Sequence, residues 1–506
     1  MALDANRPDL CIGIVGTGVM GQGIAQIAAA AGASVTLFDT RPEAAEAARR
    51  GVVQMFGKLA EKGKLTAEAA AAAGGRLRAA DSLTDMAAAH VVVEAIVENL
   101  DAKRALFAEL EGIVGDDCVL ATNTSSLSVT AIAAGARRPG RIAGLHFFNP
   151  VPLMRVVEVI PGLLTEPEVT GALVTLARRM GHHPARAKDT PGFLVNHAGR
   201  GYGTEALRIL GEGIADEATV DRVMREAAGF RMGPLELFDL TGLDVSHPVM
   251  ESIYHQFYEE PRFRPSPITA QRLAAGLLGR KSGRGFYRHD GTPPPAAPPP
   301  PPAVPPIPVW TAAQGEARAV IEKLAGLAGC PWDGNTRPGT DSLCIVAPVG
   351  EDATTTAVAL GLDPTRTVAL DRLFGLAKHR TLMTTPVTSP TASEAAQGLL
   401  AADGVAVSVV HDSPGFVAQR IAASIVNVAC DIAQQRIATP EDIDRAVTLG
   451  LGYPEGPLAM GDRLGAPTVL TILEAMHRFY GDPRYRPSPW LKRRAMLGVS
   501  LTTPEA

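Results

Sequence analysis

The stretch that begins at Leu10 constrains the fold most strongly, because it is typical of a strand, a glycine turn, a helix and a second strand in that order. Its glycines follow the pattern G-x-G-x-x-G. The first glycine permits a tight turn, the second lets a pyrophosphate approach the backbone, and the third permits close helix packing. The helix N-terminus that follows offers N–H groups and a positive dipole end to phosphates. The stretch therefore predicts a dinucleotide-binding α/β unit whose cofactor loop comprises Gly16, Gly18, Val19, Met20 and Gly21.

Asp39 ends the second strand of this unit, about twenty residues after the glycine loop. An acid at this position accepts hydrogen bonds from the ribose hydroxyls and repels a 2′-phosphate. We therefore expect NAD rather than NADP as the cofactor. Arg41 lies two residues further on and keeps NADP open as the alternative.

The composition excludes several classes of function. The net charge of the 506 residues is -5 and aromatic residues make up 5%, which argues against a nucleic-acid or anionic-membrane surface. The five cysteines are scattered without a C-x-x-C pair, which is typical of a reduced cytoplasmic protein. No run of about 20 apolar residues occurs, so we expect no membrane span. We also expect no metal site.

Polar side chains follow two further apolar runs of strand length. Glu98 comes after the run that starts at Val91, and Asn123 and Ser125 come after the run Val119 to Thr122. Ligands of parallel sheets lie at the carboxyl ends of the strands. Taken alone, however, Glu98 could be a helix-start carboxylate, and Ser125 could cap the next helix.

His146 and Glu158 lie on two successive predicted strands, Ile142 to Phe147 and Arg155 to Ile160. Side by side, the carboxylate would hold one ring nitrogen and leave the other as a general base. The same spacing is also compatible with a core histidine satisfied by a structural glutamate.

Six motifs together resemble the L-3-hydroxyacyl-CoA dehydrogenase family in its duplicated bacterial form. The motifs are G-T-G-V-M-G, E-A-I-V-E-N, N-T-S-S-L, L-H-F-F-N-P-V-P-L-M, D-T-P-G-F-L-V-N and G-R-G-F-Y, in order between Asp9 and Tyr287. The resemblance implies a Rossmann-like NAD-binding domain followed by an all-α, 6-phosphogluconate-dehydrogenase-like helical domain. It implies NAD-dependent oxidation of an acyl-CoA thioester, with members of this form acting on 3-hydroxyadipyl-CoA or 3-hydroxybutyryl-CoA in phenylacetate and fatty-acid catabolism.

The resemblance also implies roles for single residues. His146 would be the general base, Glu158 its orienting partner, and Ser125 and Asn196 would bind the substrate at the reacting centre. The cofactor side would comprise Asp39, Glu98, Lys103, Asn123, Ser125 and Asn149, and the substrate side Ser125, His146, Asn149, Asn196 and Lys62. One departure is Met55, which stands where the family often has a serine on its CoA-contacting helix.

The chain repeats itself with an offset of about 223 residues. D-T-P-G-F at Asp189 recurs as D-S-P-G-F at Asp412, and P-R-F-R-P-S-P at Pro261 recurs as P-R-Y-R-P-S-P at Pro483. Extending the alignment upstream, with an offset near 225, places His146 over Asp371, Glu158 over Met383 and Ser125 over Gly350. Within the helical repeat, Asn196 lies over Gln419. The repeat therefore predicts that the second half consists of a truncated Rossmann-like remnant without a working site, followed by a second helical domain.

We accordingly expect five segments, in which a proline-rich spacer separates the two copies. They are the NAD-binding domain 9–188, the helical domain 189–289, the linker 290–309, the degenerate remnant 310–410 and the second helical domain 411–498. Prolines from Pro293 to Pro308 favour an extended polyproline II spacer. We expect the two helical domains to pair within the chain as an intramolecular pseudo-dimer, and further association into homo-oligomers stays open. The alternative function is that of a scaffold or binding protein on the same fold.

Overall fold

The computed structural model describes residues 3–291 and 301–505. Contacts within it divide the chain into two compact units. The first unit contains the residues up to His197 together with Gln435–Leu451, and the second contains Ala198–Gln434 together with the residues from Gly452 onward. Our division into five segments remains a prediction.

The first unit is an α/β structure. In chain order its strands and helices up to residue 198 are β1 (Cys11–Val15), α1 (Val19–Ala30), β2 (Ser34–Phe38), α2 (Ala44–Glu61), α3 (Ala67–Gly75), β3 (Leu77–Ala79), β4 (Val91–Glu94), α4 (Leu100–Leu110), β5 (Val119–Thr122), α5 (Val129–Ala133), β6 (Ile142–Phe147), β7 (Val156–Pro161), α6 (Pro167–Arg179), β8 (His183–Arg186) and α7 (Val195–Ala198). The predicted strand–turn–helix–strand order at the start of the chain is present.

The eight strands form one sheet in the order β3-β2-β1-β4-β5-β6-β7-β8. All neighbours are parallel except β6 and β7, which are antiparallel. The central strands are buried along their whole length, as expected when helices cover both faces. The carboxyl ends of β1, β4 and β5 therefore lie along one edge, where the polar residues of the predicted site follow them.

Two apolar clusters hold the helices to this sheet. The larger includes Ile24 of α1, Phe56 of α2 and Leu173 of α6, all nearly inaccessible to solvent. The smaller includes Phe107 of α4 and Ile132 of α5. Burying a side chain of this size contributes about 1.5–3 kcal/mol. These clusters fix the strand ends that carry the polar residues.

The second unit combines a helical region with a smaller sheet. The remaining elements are α8 (Arg200–Gly211), α9 (Glu217–Glu226), α10 (Pro234–Thr241), α11 (Leu243–Gln256), α12 (Pro267–Ala274), β9 (Val309–Thr311), α13 (Gly315–Leu327), β10 (Leu343–Val346), α14 (Ala353–Leu360), β11 (Thr367–Leu370), β12 (Arg380–Thr384), α15 (Pro390–Leu400), β13 (Val407–Val410), α16 (Ala418–Gln434), α17 (Pro440–Leu451), α18 (Pro457–Leu464), α19 (Ala466–Tyr480) and α20 (Pro489–Leu497). Of these, α17 belongs to the first unit.

The smaller sheet has the order β13-β12-β11-β10-β9. Its pairing is parallel between β9 and β10, parallel between β10 and β11, antiparallel between β11 and β12, and parallel between β12 and β13. The successive pairs from β4 to β8 show the same sequence of directions. The five strands of the smaller sheet therefore repeat the pairing of the last five strands of the larger one.

The predicted proline spacer is described only in part, since residues 292–300 lie outside the described residues. Residues 301–308 form no helix or strand, as the proline content predicts. Val304 and Ile307 pack against the apolar cluster of the smaller sheet. The end of the spacer is therefore part of this core rather than a free connection.

Helices α8 and α16 pack closely in the second unit. A Cβ built on Gly201 would lie 3.0 Å from the Cα of Ile425 and from the carbonyl carbon of Ser424, so a larger residue would have to push the two helices apart by a few tenths of an ångström. Arg420 of α16 is fully buried, with Nε 2.8 Å from Glu205 and Nη1 2.7 Å from Glu212. The charge of Arg420 is thus paired within the helical region.

Each helix within residues 3–291 and 301–505 is too short or too polar to span a lipid bilayer.

Candidate active site

The glycine loop joins β1 to α1 with the geometry that the sequence predicts. Gly16 has φ +95°, and a Cβ there would lie 2.5 Å from the carbonyl oxygen of Ala95. A Cβ on Gly21 would overlap the carbonyl oxygen of Gly16, whereas one on Gly18 would meet no atom within 4 Å. Gly16 and Gly21 are thus required by packing. Gly18 faces open space, where a phosphate can approach the backbone at the start of α1.

The carboxylate of Asp39 is fixed beside this loop. Oδ2 accepts hydrogen bonds of 2.8 Å from both the backbone N–H and the hydroxyl of Thr17, and Arg41 binds both carboxylate oxygens at 3.0 Å. The hydrogen bonds from Arg41 lower the pKa of the Asp39 carboxyl, and those from Thr17 lower it further. Together they outweigh burial, which raises it, so that the pKa lies well below its usual range. Asp39 is therefore a fixed anion at the end of β2.

Val19 and Met20 complete the predicted loop at the start of α1. The side chain of Val19 is 69% exposed, although it is apolar. Met20 packs against the apolar cluster under the loop. An exposed valine beside an open glycine is a surface that a flat ring or a ribose can cover.

Glu98 organises the loop after β5. Its Oε1 accepts from the hydroxyl of Thr124 at 2.6 Å and from the backbone N–H groups of Ser125 and Ser126 at 2.9 and 3.0 Å. Burial raises the pKa of the Glu98 carboxyl, but the Lys103 charge and these hydrogen bonds outweigh it, so that the net pKa lies below its ordinary value. The structure thus brings two predicted site residues, Glu98 and Ser125, together.

Lys103 is fully buried beneath Glu98. Its Nζ lies 2.6 Å from Oε1 of Glu94 and 3.3 Å from Oε2 of Glu98. Glu94, which is also fully buried, accepts a further hydrogen bond of 2.7 Å from the hydroxyl of Thr122. The contacts of Lys103 are therefore to carboxylates, and its predicted role toward the cofactor would act through Glu98.

Sequence reasoning missed Glu94, although it lies within the quoted motif E-A-I-V-E-N. The signal was a carboxylate at the end of an otherwise apolar strand. A buried carboxylate needs a charged or hydrogen-bonding partner, and Lys103, nine residues later, supplies one.

His146 and Glu158 face each other across the antiparallel pair β6 and β7. The distance from Nδ1 of His146 to Oε2 of Glu158 is 2.5 Å, and both residues are buried. Oε1 of Glu158 accepts from the N–H groups of Leu194 and Val195 at 2.9 and 2.8 Å. The carboxylate is thus held by two backbone donors and holds one imidazole nitrogen.

The turn that supplies these donors delays the start of the next helix. Proline favours the first turn of a helix, but α7 begins only at Val195, four residues after Pro191. Gly192 and Phe193 have φ of +74° and +48°, so the backbone first makes a left-handed turn. This turn points the N–H groups of residues 194 and 195 at Glu158 and places Asn196 next to them in the chain.

The other predicted site residues have the following positions. Oδ1 of Asn123 accepts a hydrogen bond of 2.9 Å from the N–H of Phe147, which ties the end of β5 to β6. Asn149 is exposed just after β6, and its peptide bond to Pro150 is cis. Lys62 is exposed at the end of α2, where Met55 is 43% exposed. Within the described part of the chain no hydrogen bond or ion pair joins Lys62 to the other site residues, so its role remains a prediction.

These features define a class of protein. A glycine loop open to phosphate, a fixed acid at the end of β2 and a histidine–carboxylate pair on β6 and β7 are together typical of nicotinamide-dinucleotide dehydrogenases. Among the described residues, no group of three His, Cys, Asp or Glu side chains could hold a metal ion.

Comparison with known proteins identifies the family. The NAD-binding domain of 3-hydroxyacyl-CoA dehydrogenase matches residues 11–190, and the C-terminal domain of the same family matches residues 192–289 and residues 415–500. The chain belongs to the 3-hydroxyacyl-CoA dehydrogenase family.

Individual relatives cover either nearly the whole chain or about half of it. A 3-hydroxyadipyl-CoA dehydrogenase of Escherichia coli is 38% identical over 96% of this chain and 97% of its own length. A crystal structure of 3-hydroxybutyryl-CoA dehydrogenase from Escherichia coli has a TM-score of 0.84 and 36% identity, and covers 97% of this chain and 98% of that one. A probable 3-hydroxybutyryl-CoA dehydrogenase of Deinococcus radiodurans is 42% identical over 55% of this chain and 99% of its own length.

Proposed function

We propose that the chain oxidises an L-3-hydroxyacyl-CoA to the 3-ketoacyl-CoA with NAD, and that His146 is the general base. The observation that carries this role is the 2.5 Å contact between Nδ1 of His146 and Glu158. Because Glu158 holds Nδ1, Nε2 is the ring nitrogen that accepts the proton of the 3-hydroxyl group. Bound NAD supplies a nicotinamide ring that accepts the hydride from C3.

Glu158 stabilises the protonated ring. A buried carboxylate that keeps two backbone hydrogen bonds on one oxygen presents the other oxygen in a fixed direction. The imidazolium that forms after proton transfer then gains an ion pair without movement of either side chain. A positioned general base of this kind contributes about 10²–10⁴-fold to the rate.

Ser125 and Asn196 are assigned to the substrate, and the loop after β5 supports the assignment of Ser125. Glu98 binds the backbone N–H of Ser125 at 2.9 Å, which fixes the loop, while its contact with the Ser125 hydroxyl is longer, at 3.4 Å. The hydroxyl can therefore turn to a substrate oxygen. Asn196 follows Val195, whose N–H orients Glu158.

The acyl group is assigned by similarity alone. Relatives that cover the chain carry the names 3-hydroxyadipyl-CoA and 3-hydroxybutyryl-CoA dehydrogenase, so we propose one of these two substrates. Values of kcat/KM for the hydroxybutyryl, hydroxyhexanoyl and hydroxyadipyl thioesters would decide between them, since a dicarboxylate site would prefer the adipyl chain by tenfold or more. Equal values for all three would contradict a dedicated carboxylate site.

We further propose that the second half is a truncated copy without a working site. Its sheet repeats the pairing of β4 to β8 and has no counterpart of β1 to β3, among residues 301–505. The register places Thr381 opposite Asp371, so Thr381 rather than our aligned Met383 corresponds to Glu158. Neither residue supplies a carboxylate that could orient a base.

The corresponding polar side chains bind one another instead. Nε2 of Gln419 donates to Asp371 at 2.9 Å, and Oε1 of Gln419 accepts from the N–H of Gly350 at 2.8 Å. A Cβ on Gly350 would lie only 2.9 Å from the Cα of Ile472 in α19, so α19 leaves no room for a side chain at the position that aligns with Ser125. Burial raises the pKa of Asp371, as expected for a carboxyl group sealed from solvent.

The helical copies support an intramolecular pseudo-dimer. Gly201 packs against Ser424, and these two positions correspond to each other at the offset of 223, as residues on a two-fold axis do. The N–H of His411 donates to the carbonyl of Ile214, and the N–H of Lys188 donates to the carbonyl of Ile437, both at 2.9 Å. Each bond maps onto the other by the same offset.

Two measurements test the proposal. Acetoacetyl-CoA-dependent oxidation of NADH should be lost in His146→Gln, whereas turnover at the wild-type rate would instead favour a scaffold or binding protein on this fold. Calorimetric titration with NADH should give one site per chain, and two sites of similar affinity would contradict a single working copy.

A further inference from the structure

The first compact unit contains a segment from the far end of the chain, Gln435–Leu451. Helix α17 in this segment packs against β7 and β8. Lys188, just after β8, donates from its backbone N–H to the carbonyl of Ile437 and from Nζ to the carbonyl of Gln435, both at 2.9 Å. A piece of the second helical copy is therefore built into the unit that holds His146.

Gly450, near the end of α17, lies against two buried valines. A Cβ added to it would lie 3.0 Å from Cγ1 of Val195 and 3.2 Å from Cγ1 of Val156. Both valines are inaccessible to solvent. A contact this close cannot accept a methyl group unless one of the valines moves by a few tenths of an ångström.

Both valines are connected through the backbone to Glu158, the carboxylate of the His146–Glu158 pair, which we call the dyad. The N–H of Val195 donates to Oε1 of Glu158 at 2.8 Å. Val156 precedes Glu158 by two residues on β7 and so lies on the same face of the strand. If the backbone at either valine shifts to make room, the shift reaches Glu158, whose second oxygen holds Nδ1 of His146.

We propose that the second half, although it has no site of its own, takes part in catalysis by positioning the dyad of the first half. Gly450 is a positioning residue that acts through Val195 on Glu158, and it contacts neither His146 nor the reacting atoms. The inference rests on the proposed role of His146 as the base. It gives the degenerate half a function in turnover rather than in folding alone.

Substitution of Gly450 tests this role. In Gly450→Ala the kcat for NADH-dependent reduction of acetoacetyl-CoA should fall about tenfold, and in Gly450→Val about 10²-fold, because small misplacements of reacting groups carry costs of this order. The KM for both substrates and the affinity for NADH should stay within twofold of the wild type. In Gly450→Ala the helix preference of alanine offsets part of the overpacking cost, so the variant should fold, with a melting temperature at or modestly below that of the wild type.

Gly171→Ala is the matched control. Gly171 lies inside α6 of the same unit, and a Cβ there would meet no atom within 4 Å. This variant should keep the wild-type kcat. If Gly450→Val does not fold, Gly450→Ala carries the test.

The possible outcomes are distinct. A kcat that stays at the wild-type value in Gly450→Ala and in folded Gly450→Val would overturn the inference and leave the proposed function standing. So would a rise in KM at constant kcat, since it would mean that Gly450 affects binding. A wild-type chain without turnover would overturn the proposed function and, with it, this inference.

Discussion

His146 and Glu158 are paired residues in the register of β6 and β7, so the same ladder that builds the sheet also places the imidazole against the carboxylate. The pair therefore needs no loop to assemble it. Strand-borne side chains vary less in position than loop-borne ones, which suits a base that must meet a substrate proton within hydrogen-bond distance.

Replacing His146 by glutamine should lower kcat by about 10²–10⁴-fold, because the proton of the hydroxyl group then has no base. The KM for NAD should hardly change, since the glycine loop and Asp39 remain intact. Steady-state kinetics in the oxidative direction would show this. A loss of less than tenfold would assign the base to another residue.

Glu158→Gln should lower kcat nearly as much as His146→Gln does, and the double variant should have a kcat no lower than that of His146→Gln. Groups that act as one unit show losses that do not add. The glutamine can still accept the hydrogen bonds of residues 194 and 195, so the fold should be kept. Losses that multiply in the double variant would show that Glu158 acts apart from His146.

Asp39→Asn should shift the choice of cofactor. The amide keeps the hydrogen bonds to Thr17 but removes the charge that repels a 2′-phosphate, and it releases Arg41 from its ion pair. We expect kcat/KM for NAD to fall about tenfold and that for NADP to rise. Asp9→Asn, an exposed carboxylate outside the loop, is the control and should leave the ratio unchanged. An unchanged ratio in Asp39→Asn would show that Asp39 does not select the cofactor.

Glu98→Gln should loosen the loop that carries Ser125 and destabilise the protein in a pH-dependent way. The folded pKa of Glu98 lies below the ordinary 4.5, so its stabilising contribution is fully present above that value and is lost as the pH falls through the folded pKa. We expect the free energy of unfolding of the variant to be about 1–2 kcal/mol lower than that of the wild type at pH 7, and the difference to be smaller at pH 3.5. Urea denaturation at the two pH values measures this. A difference that does not shrink in acid would mean that the charge of Glu98 is not what holds the loop.

Gly201→Ala should destabilise the helical region, whereas Gly211→Ala on the same helix should not. The first methyl group meets the backbone of α16 at 3.0 Å and the second meets Ile268 at an ordinary 3.5 Å. Overpacking costs about 1–3 kcal/mol, while alanine in an open helical position gains about 0.5–1 kcal/mol. Melting temperatures of the two variants should move in opposite directions. A shift of the same sign in both would show that α8 and α16 can separate at this point.

The sequence predicted the larger sheet and the dyad because local signals specify them. Apolar runs of strand length mark β1, β4 and β5. Two successive strands allowed His146 and Glu158 to lie side by side, but the spacing left a structural histidine open, and the role of general base came from the family resemblance. The turn at Phe193 was missed because a left-handed backbone at a phenylalanine has no signal in composition. The packing of α17 on the first unit could not be predicted either, since contacts between segments some 250 residues apart leave no periodic pattern. The buried pair of Glu94 and Lys103 was within reach of sequence reasoning, since a carboxylate at the end of an apolar strand requires a partner.

The ion pair between Glu205 and Arg420 bears on which substitutions a duplicated chain can accumulate during evolution. At the offset of 223, the positions that mirror these two residues hold Val428 and His197, so the pair occurs on one side of the helical packing only. An assembly of identical chains must place every substitution on both sides at once. Two copies within one chain escape that requirement, and each face can acquire a residue that suits only the other. In the pseudo-dimer that we propose, covalent linkage turns a self-complementary surface into a matched pair of different surfaces, which dilution cannot separate.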